Sequence, residues 1–316
     1  MEIEFKEEFY DRMSKFREKA LENAAGDQRT YYKYMLKWRK VCGDPSAEEM
    51  TEVLKKAQKA RDYGLMQRCF YTYWKSELSC FLSSGYDHSY MIYRVIPFLS
   101  GGEYSEIFRA YPEDLPMAGN GHSMLVNGTG VLQCILYKGR YDEAKAVAKA
   151  EKYVASKQPK WDRAFVACLL AVYKSDAKML SENLQLLCEL NSRNDIPGFL
   201  KEQCQTAYGM VVFAAHNMEP EVFNKVQMPE YKNFDPEYME FALKGEFSRD
   251  PLFRYDEPYA EFNHLFEFPL PLTVADKKNL DSDNSYLTRA EKNAYYMNVD
   301  AMNDEIIERL MECKSL

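Results

Sequence analysis

The sequence predicts an all-α fold: an array of antiparallel helical hairpins, followed by an irregular C-terminal region and a closing helix. Three observations predict it. Only 14 Gly and 13 Pro occur among 316 residues, below average usage and too few for a turn-rich β architecture. Apolar residues recur at i, i+3, i+4 and i+7 through most of the chain, the spacing of one helix face. Four segments repeat a helix end, a polar turn and a new helix start. Their turn positions, Gly102, Gly139, Ser175 and Asn217, are 37, 36 and 42 residues apart. Helix-pair repeats have periods of about 34 to 47 residues, because two helices of three to four turns and two short turns use that length. Neither helix of a pair buries its apolar stripe alone, so neighbouring pairs stack.

The elements follow in order. Residues 2–24 carry Ile3, Phe5, Phe9, Met13, Phe16, Ala20 and Leu21 on one stripe, and Gly26-Asp27 ends it. An aromatic-rich helix over 28–41 stops at Gly43-Asp44-Pro45. Ser46 with Glu49 forms a capping box for a helix over about 47–62, which ends near Gly64. The next helix begins near Met66 and runs to Ser83-Ser84-Gly85, and another spans Tyr86 to about Leu99. The hairpin segments are 97–111, 135–149, 171–185 and 213–226, with a looser Gly- and Pro-containing stretch over 111–130. At the second turn Gly139 supplies a residue permissive for a left-handed helix end. Asp142 and Glu143 then sit at the positive end of the following helix dipole.

Composition changes near residue 227, which divides the chain into a helical array over 1–227 and a Pro- and aromatic-rich region over 228–316. Asp235-Pro236 starts a short helix over 236–244, and a second covers 257–266. Phe268-Pro269-Leu270-Pro271-Leu272 must be extended, because each Pro disfavours α conformation in the residue before it. After a polar loop over Asp281–Ser285, a last helix over about 287–312 starts at Thr288 with Glu291 as a capping box. Its stripe includes Ala290, Ala294, Met297, Ala301, Ile306 and Leu310.

Charge and cysteine usage narrow the function. The formal charge is −8, and no basic footprint for phosphate neutralisation is visible, which speaks against nucleic-acid binding. Residues 217–316 hold 21 acids and 11 bases, whereas the preceding 216 residues are net +2. That acidic block suits a solvated surface or a basic partner. The first residues are charged and lack the apolar run of a signal peptide, and no run of 18 apolar residues marks a membrane span. The chain is therefore expected in the cytoplasm, away from membranes. Its eight cysteines include no C-x-x-C pair. Most lie in apolar helical stretches as small buried hydrophobes, without disulfides.

No chemistry-bearing motif stands out. His88, His122, His216 and His264 lack metal-ligand spacing, no G-x-S-x-G elbow occurs, and the 111–130 glycines are followed by no G-K-[ST]. Neither a cofactor, a metal nor a catalytic residue is assigned. The aromatic sets around Trp38 and Trp74 follow helical spacing and read as core. One loop joins aromatics to acids: Phe253 to Tyr259, continuing to Glu261. Tyr255, Asp256, Glu257, Tyr259 and Glu261 are the candidate partner-binding residues, rings anchoring while charges steer a basic partner.

The stretch LYKGRYDEAKAVAKAEKYV (136–154) resembles a tetratricopeptide-type unit. Over about 128–190, roughly a fifth of the chain, the resemblance extends to bacterial polymorphic-toxin immunity proteins, specifically the immunity protein 49 family. The matching features are an apolar helix and the turn Lys138-Gly139-Arg140-Tyr141-Asp142-Glu143-Ala144. Trp161 through Tyr173-Lys174-Ser175-Asp176 and a Leu-rich helix follow. The resemblance implies a protein that binds and occludes a cognate toxin effector and performs no chemistry. A tetratricopeptide-like scaffold or peptide-binding regulator is the alternative, and an enzyme with an unrecognised site is the third class.

Overall fold

The structure is a computed structural model that describes residues 3–42, 47–82, 87–119, 121–192, 198–277 and 295–314. It is all-α apart from one small two-stranded ribbon. The first four helices are α1 (Glu7–Ala24), α2 (Gln28–Cys42), α3 (Ala47–Ala60) and α4 (Tyr63–Leu78). Short α5 (Ile92–Phe98) and α6 (Ile107–Ala110) come next. The central run is α7 (Ser123–Leu136), α8 (Glu143–Val154), α9 (Lys160–Lys174), α10 (Ala177–Asn191), α11 (Gly198–Glu202), α12 (Gln205–Asn217) and one-turn α13 (Pro220–Phe223). The C-terminal region holds α14 (Pro236–Ala242), α15 (His264–Glu267), strands β1 (Ala275–Lys277) and β2 (Tyr295–Met297), and α16 (Val299–Lys314).

Local chemistry places the central boundaries. Asp142 and Asp176 accept from the backbone N–H of Lys145 and Met179 at 3.1 and 2.9 Å, each satisfying an orphan donor of the helix it starts. Gly139, expected as a left-handed helix end, has φ +78° but lies inside the turn, because α7 ends at Leu136 with Tyr137 as its cap; Ser175, φ +53°, is the left-handed cap of α9. The Gly139 N–H donates to Glu143 Oε1 at 2.6 Å, and the Tyr173 hydroxyl donates to Glu143 Oε2 at 2.7 Å. These bonds hold the Glu143 carboxyl below its usual range, the Gly139 bond first. Full helix pairs follow only the second and third of the four turns. The turns at Gly102 and Asn217 lead into the one-turn helices α6 and α13.

In the centre α7 packs on α8 and α9, α9 on α10, and α12 on both α9 and α10. Helix α5, from earlier in the chain, crosses this run and packs on α12, α7 and α4, while α3 packs on α4 and α11. Residues on both sides of 227 contribute to one continuous buried core.

Several expected boundaries move. Helix α1 begins at Glu7, and Ile3 lies in extended chain with its N–H on Leu252 O at 2.6 Å. Gly64 does not break a helix; it lies in the first turn of α4, capped by Asp62, and Arg61 takes the left-handed position instead. In place of a helix over 257–266, a 3-10 turn over Ala260–Asn263 leads into α15. The closing helix starts at Val299, because residues 295–297 pair antiparallel with 275–277. The boundaries expected at Gly43-Asp44-Pro45, Ser46, Ser83–Gly85, Tyr86, Asp281–Ser285, Thr288, Glu291 and Ala290 lie outside the described residues.

The extended stretch 268–273 has no strand partner among the described residues; Thr273 N–H donates to Arg109 O at 2.9 Å, and charged side chains satisfy much of the rest of its backbone. Lys75 Nζ donates to Phe268 O. Glu106 Oε2 accepts from Leu270 N–H at 2.8 Å, and Arg109 Nε donates to Leu270 O. Arg309 donates to Pro269 O at 2.8 Å, and Glu305 accepts from Leu272 N–H at 2.7 Å. Glu305 also joins Arg109 to Arg309. Lys75 and Glu106 lie 3.5 Å apart with side chains only 2% and 10% exposed.

Candidate functional site

The loop singled out by sequence is built into the molecule. Tyr255 and Tyr259 are each 2% exposed, which corrects their expected role as exposed anchoring rings. Phe5 stacks on Tyr255 at 4.9 Å, and buried Arg39 donates to the Tyr255 hydroxyl at 2.8 Å. Tyr10 lies parallel to Tyr259 at 6.0 Å. Asp256 stays exposed and accepts from the Tyr10 hydroxyl at 3.0 Å. The part-buried Glu261 accepts from the Tyr32 hydroxyl at 3.1 Å, and Glu257 is exposed. The rings are consumed by α1 and α2, so only the carboxylates face outward. Tyr255→Phe removes an acceptor from a fully buried guanidinium. It should cost about 2 kcal/mol in urea unfolding; an unchanged midpoint would show that Arg39 does not depend on this loop.

Part of the acidic block pairs at the surface with bases from earlier in the chain. Arg29 pairs with Asp304 and Glu308, Lys33 with Asp300, Arg61 with Glu237, Arg68 with Asp250, and Arg109 with Glu305. Each pair joins an acid of the C-terminal third to a base of the N-terminal body. Six of the 21 acids of the block are thus engaged within the chain.

A concavity lies elsewhere, between residues 117–119 and α8. It has two adjoining parts of about 280 and 430 Å³ that share Gly119, Val126, Asn127 and Lys149. Met117, Ala118, Val126 and Ala146 give the first part an apolar floor. Lys145 and Lys149 line that part, and Lys149 and Lys152 line the second. These lysines recur at i, i+4 and i+7, so one face of α8 carries all three along about 10 Å. All are exposed, and they make no ion pair among the described residues.

The opposite wall is pinned by buried polar groups. Gln133 on α7, 0% exposed, accepts from Ala118 N–H at 3.1 Å and donates to Pro116 O at 2.9 Å. Tyr141 donates to Leu115 O at 2.8 Å, and Asp87 accepts from Gly119 N–H at 3.3 Å. Acids of α8 and its cap leave the lysines uncompensated. Asp142 lines the first part but caps α8, Glu143 is held by Gly139 and Tyr173, and Glu151 pairs with Lys174 at 2.5 Å. Sequence reading missed this site. Its signal was the lysine spacing in EAKAVAKAEKYV, but the wall that turns a lysine face into a groove comes from the 111–130 stretch, read only as a loose connection.

Among the described residues, no three His, Cys, Asp or Glu side chains converge to hold a metal. Seven cysteines are buried and Cys313 is half-buried, all as free thiols; burial pushes the Cys69 thiol up to about 12. No helix among the described residues is long and apolar enough to cross a membrane. Comparison with protein-family models, curated proteins and solved structures finds no match to this chain.

Proposed function

We propose that this chain acts by contact: it is a helical protein-binding scaffold that seats a segment of a partner protein in the groove between residues 117–119 and α8. The observation that carries this reading is the groove itself, an apolar floor beside three lysines that have no ion-pair partner among the described residues. Its lining suits recognition, because an apolar floor supplies affinity and a few charged groups fix orientation. Neutralisation of a toxin effector, implied by the immunity-protein resemblance, is the form this binding takes when the partner is an effector whose active surface the scaffold covers.

Co-expression with the product of the adjacent gene, followed by size-exclusion chromatography with light scattering, tests the reading. A stoichiometric complex that weakens as salt rises from 50 to 500 mM is expected, since charge contributes to it (the range brackets Debye lengths from roughly 14 to 4 Å). Co-elution in no salt condition would overturn it. For an effector partner, the complex should also suppress the effector's activity.

A further inference from the structure

We infer that the occupant of the α8 groove is an extended acidic segment of the partner protein, with acidic side chains two residues apart and an apolar residue between them. This rests on the contact reading above and deepens it by naming the chemistry of the partner.

Charge sets the sign. Lys145, Lys149 and Lys152 line the groove, while its one lining carboxylate, Asp142, is engaged at the helix cap. Among the described residues these three exposed lysines have no ion-pair partner, which makes them a cationic row in a chain of net charge −8. Such a row attracts anions and rejects cations. Spacing sets the conformation. The lysines span about 10 Å along α8. An extended chain returns a side chain to the same face every ~6.8 Å, so acids at positions n and n+2 reach two neighbouring ammonium groups within the freedom of lysine side chains. The residue between them points the opposite way. Met117 and Val126, on the floor of the part lined by Lys145 and Lys149, take an apolar side chain. A lysine stripe beside an apolar floor thus suits an acid–apolar–acid alternation, with the strand lying along α8.

Fluorescence anisotropy with the full chain and three labelled nine-residue peptides tests this. One peptide alternates Glu and Leu, the second Gln and Leu, and the third Lys and Leu. The Glu peptide should bind about tenfold more tightly than the Gln peptide, two exposed charge pairs together providing that factor. The Lys peptide should bind more weakly than either. The double variant Lys149→Glu/Lys152→Glu, both positions exposed on α8, should keep its thermal midpoint. It should reverse the order of the Glu and Lys peptides. Equal binding of Glu and Gln peptides, or an unreversed order in the double variant, would overturn the inference. Displacement of the Glu peptide by equimolar inorganic phosphate would assign the groove to a small anion and likewise overturn it. A partner complex that survives unchanged in the double variant removes the groove inference and leaves the contact reading standing. Absence of any complex with wild-type chain removes the contact reading itself.

Discussion

Gly209→Ala should be among the most destabilising single-methyl substitutions in this chain, costing about 3 kcal/mol or more. Gly209 lies at the crossing of α12 and α5. A Cβ built there would sit 1.7 Å from Ile96 O and 2.6 Å from Ile96 C. Both atoms are backbone, so no rotamer change relieves the overlap and the helices must separate. Helix α5 has no room to move away, because it also packs on α4 and α7, and Val95, Ile96 and Phe98 are fully buried. Opening the crossing also disturbs Tyr208, whose hydroxyl accepts from Asp235 N–H and helps hold the start of α14. Gly198→Ala is the matched control. Among the described residues nothing lies within 4 Å of its Cβ position, and alanine at a compatible backbone position stabilises by roughly 0.4–1 kcal/mol by restricting the unfolded chain. Urea unfolding should therefore move the two midpoints in opposite directions. A Gly209→Ala midpoint equal to wild type would mean that α5 and α12 do not approach this closely.

That crossing illustrates what could be read from the sequence and what could not. Helix starts with a local cause were legible: Asp142, Asp176 and Asp235 each cap the helix expected to follow. Gly64 misled because a glycine within a capped first turn costs little when Asp62 has already satisfied the Leu65 N–H. The stripe through Met297 and Ala301 suggested one unbroken helix, but Tyr295–Met297 found a strand partner about twenty residues earlier. Pairing between distant segments overrides helical spacing, as β-favouring tyrosines permit. The same limit applied to the expected site. Whether Tyr255 is an exposed anchor or a core ring depends on Phe5, Phe9 and Arg39, more than 200 positions away. No spacing rule reports that distance. The lysines of α8 were legible as a face, yet a face becomes a groove only through a wall that Gln133 and Asp87 hold in place.

The stretch 268–273 is held by a buried charge, and Glu106→Gln should expose how much depends on it. Removing the carboxylate leaves Lys75, with its side chain 2% exposed, as an uncompensated buried ammonium and weakens the anchor of Leu270 N–H. Breaking a buried pair from one side costs about 3–5 kcal/mol. The lower end is expected at pH 7, because Lys75 can escape by releasing its proton. Burial already draws its pKa down to about 8, with Glu106 opposing that shift. Loss of Glu106 therefore lowers it further. Between the folded pKa and the ordinary lysine value of about 10.4, the unfolded chain binds more protons than the folded one, so stability from this group rises with pH. Wild type gains in this way only above about pH 8, and the variant begins to gain at a lower pH. The deficit of Glu106→Gln should consequently be largest near pH 6 and shrink towards pH 9, with other titrating groups common to both proteins cancelling in the difference. Lys75→Met/Glu106→Gln, which removes the charge altogether, should show a deficit that is flat up to about pH 8 and grows above it, where wild type alone gains from Lys75. A Glu106→Gln deficit that stays constant from pH 6 to 9 would mean that Lys75 is not confined with its charge.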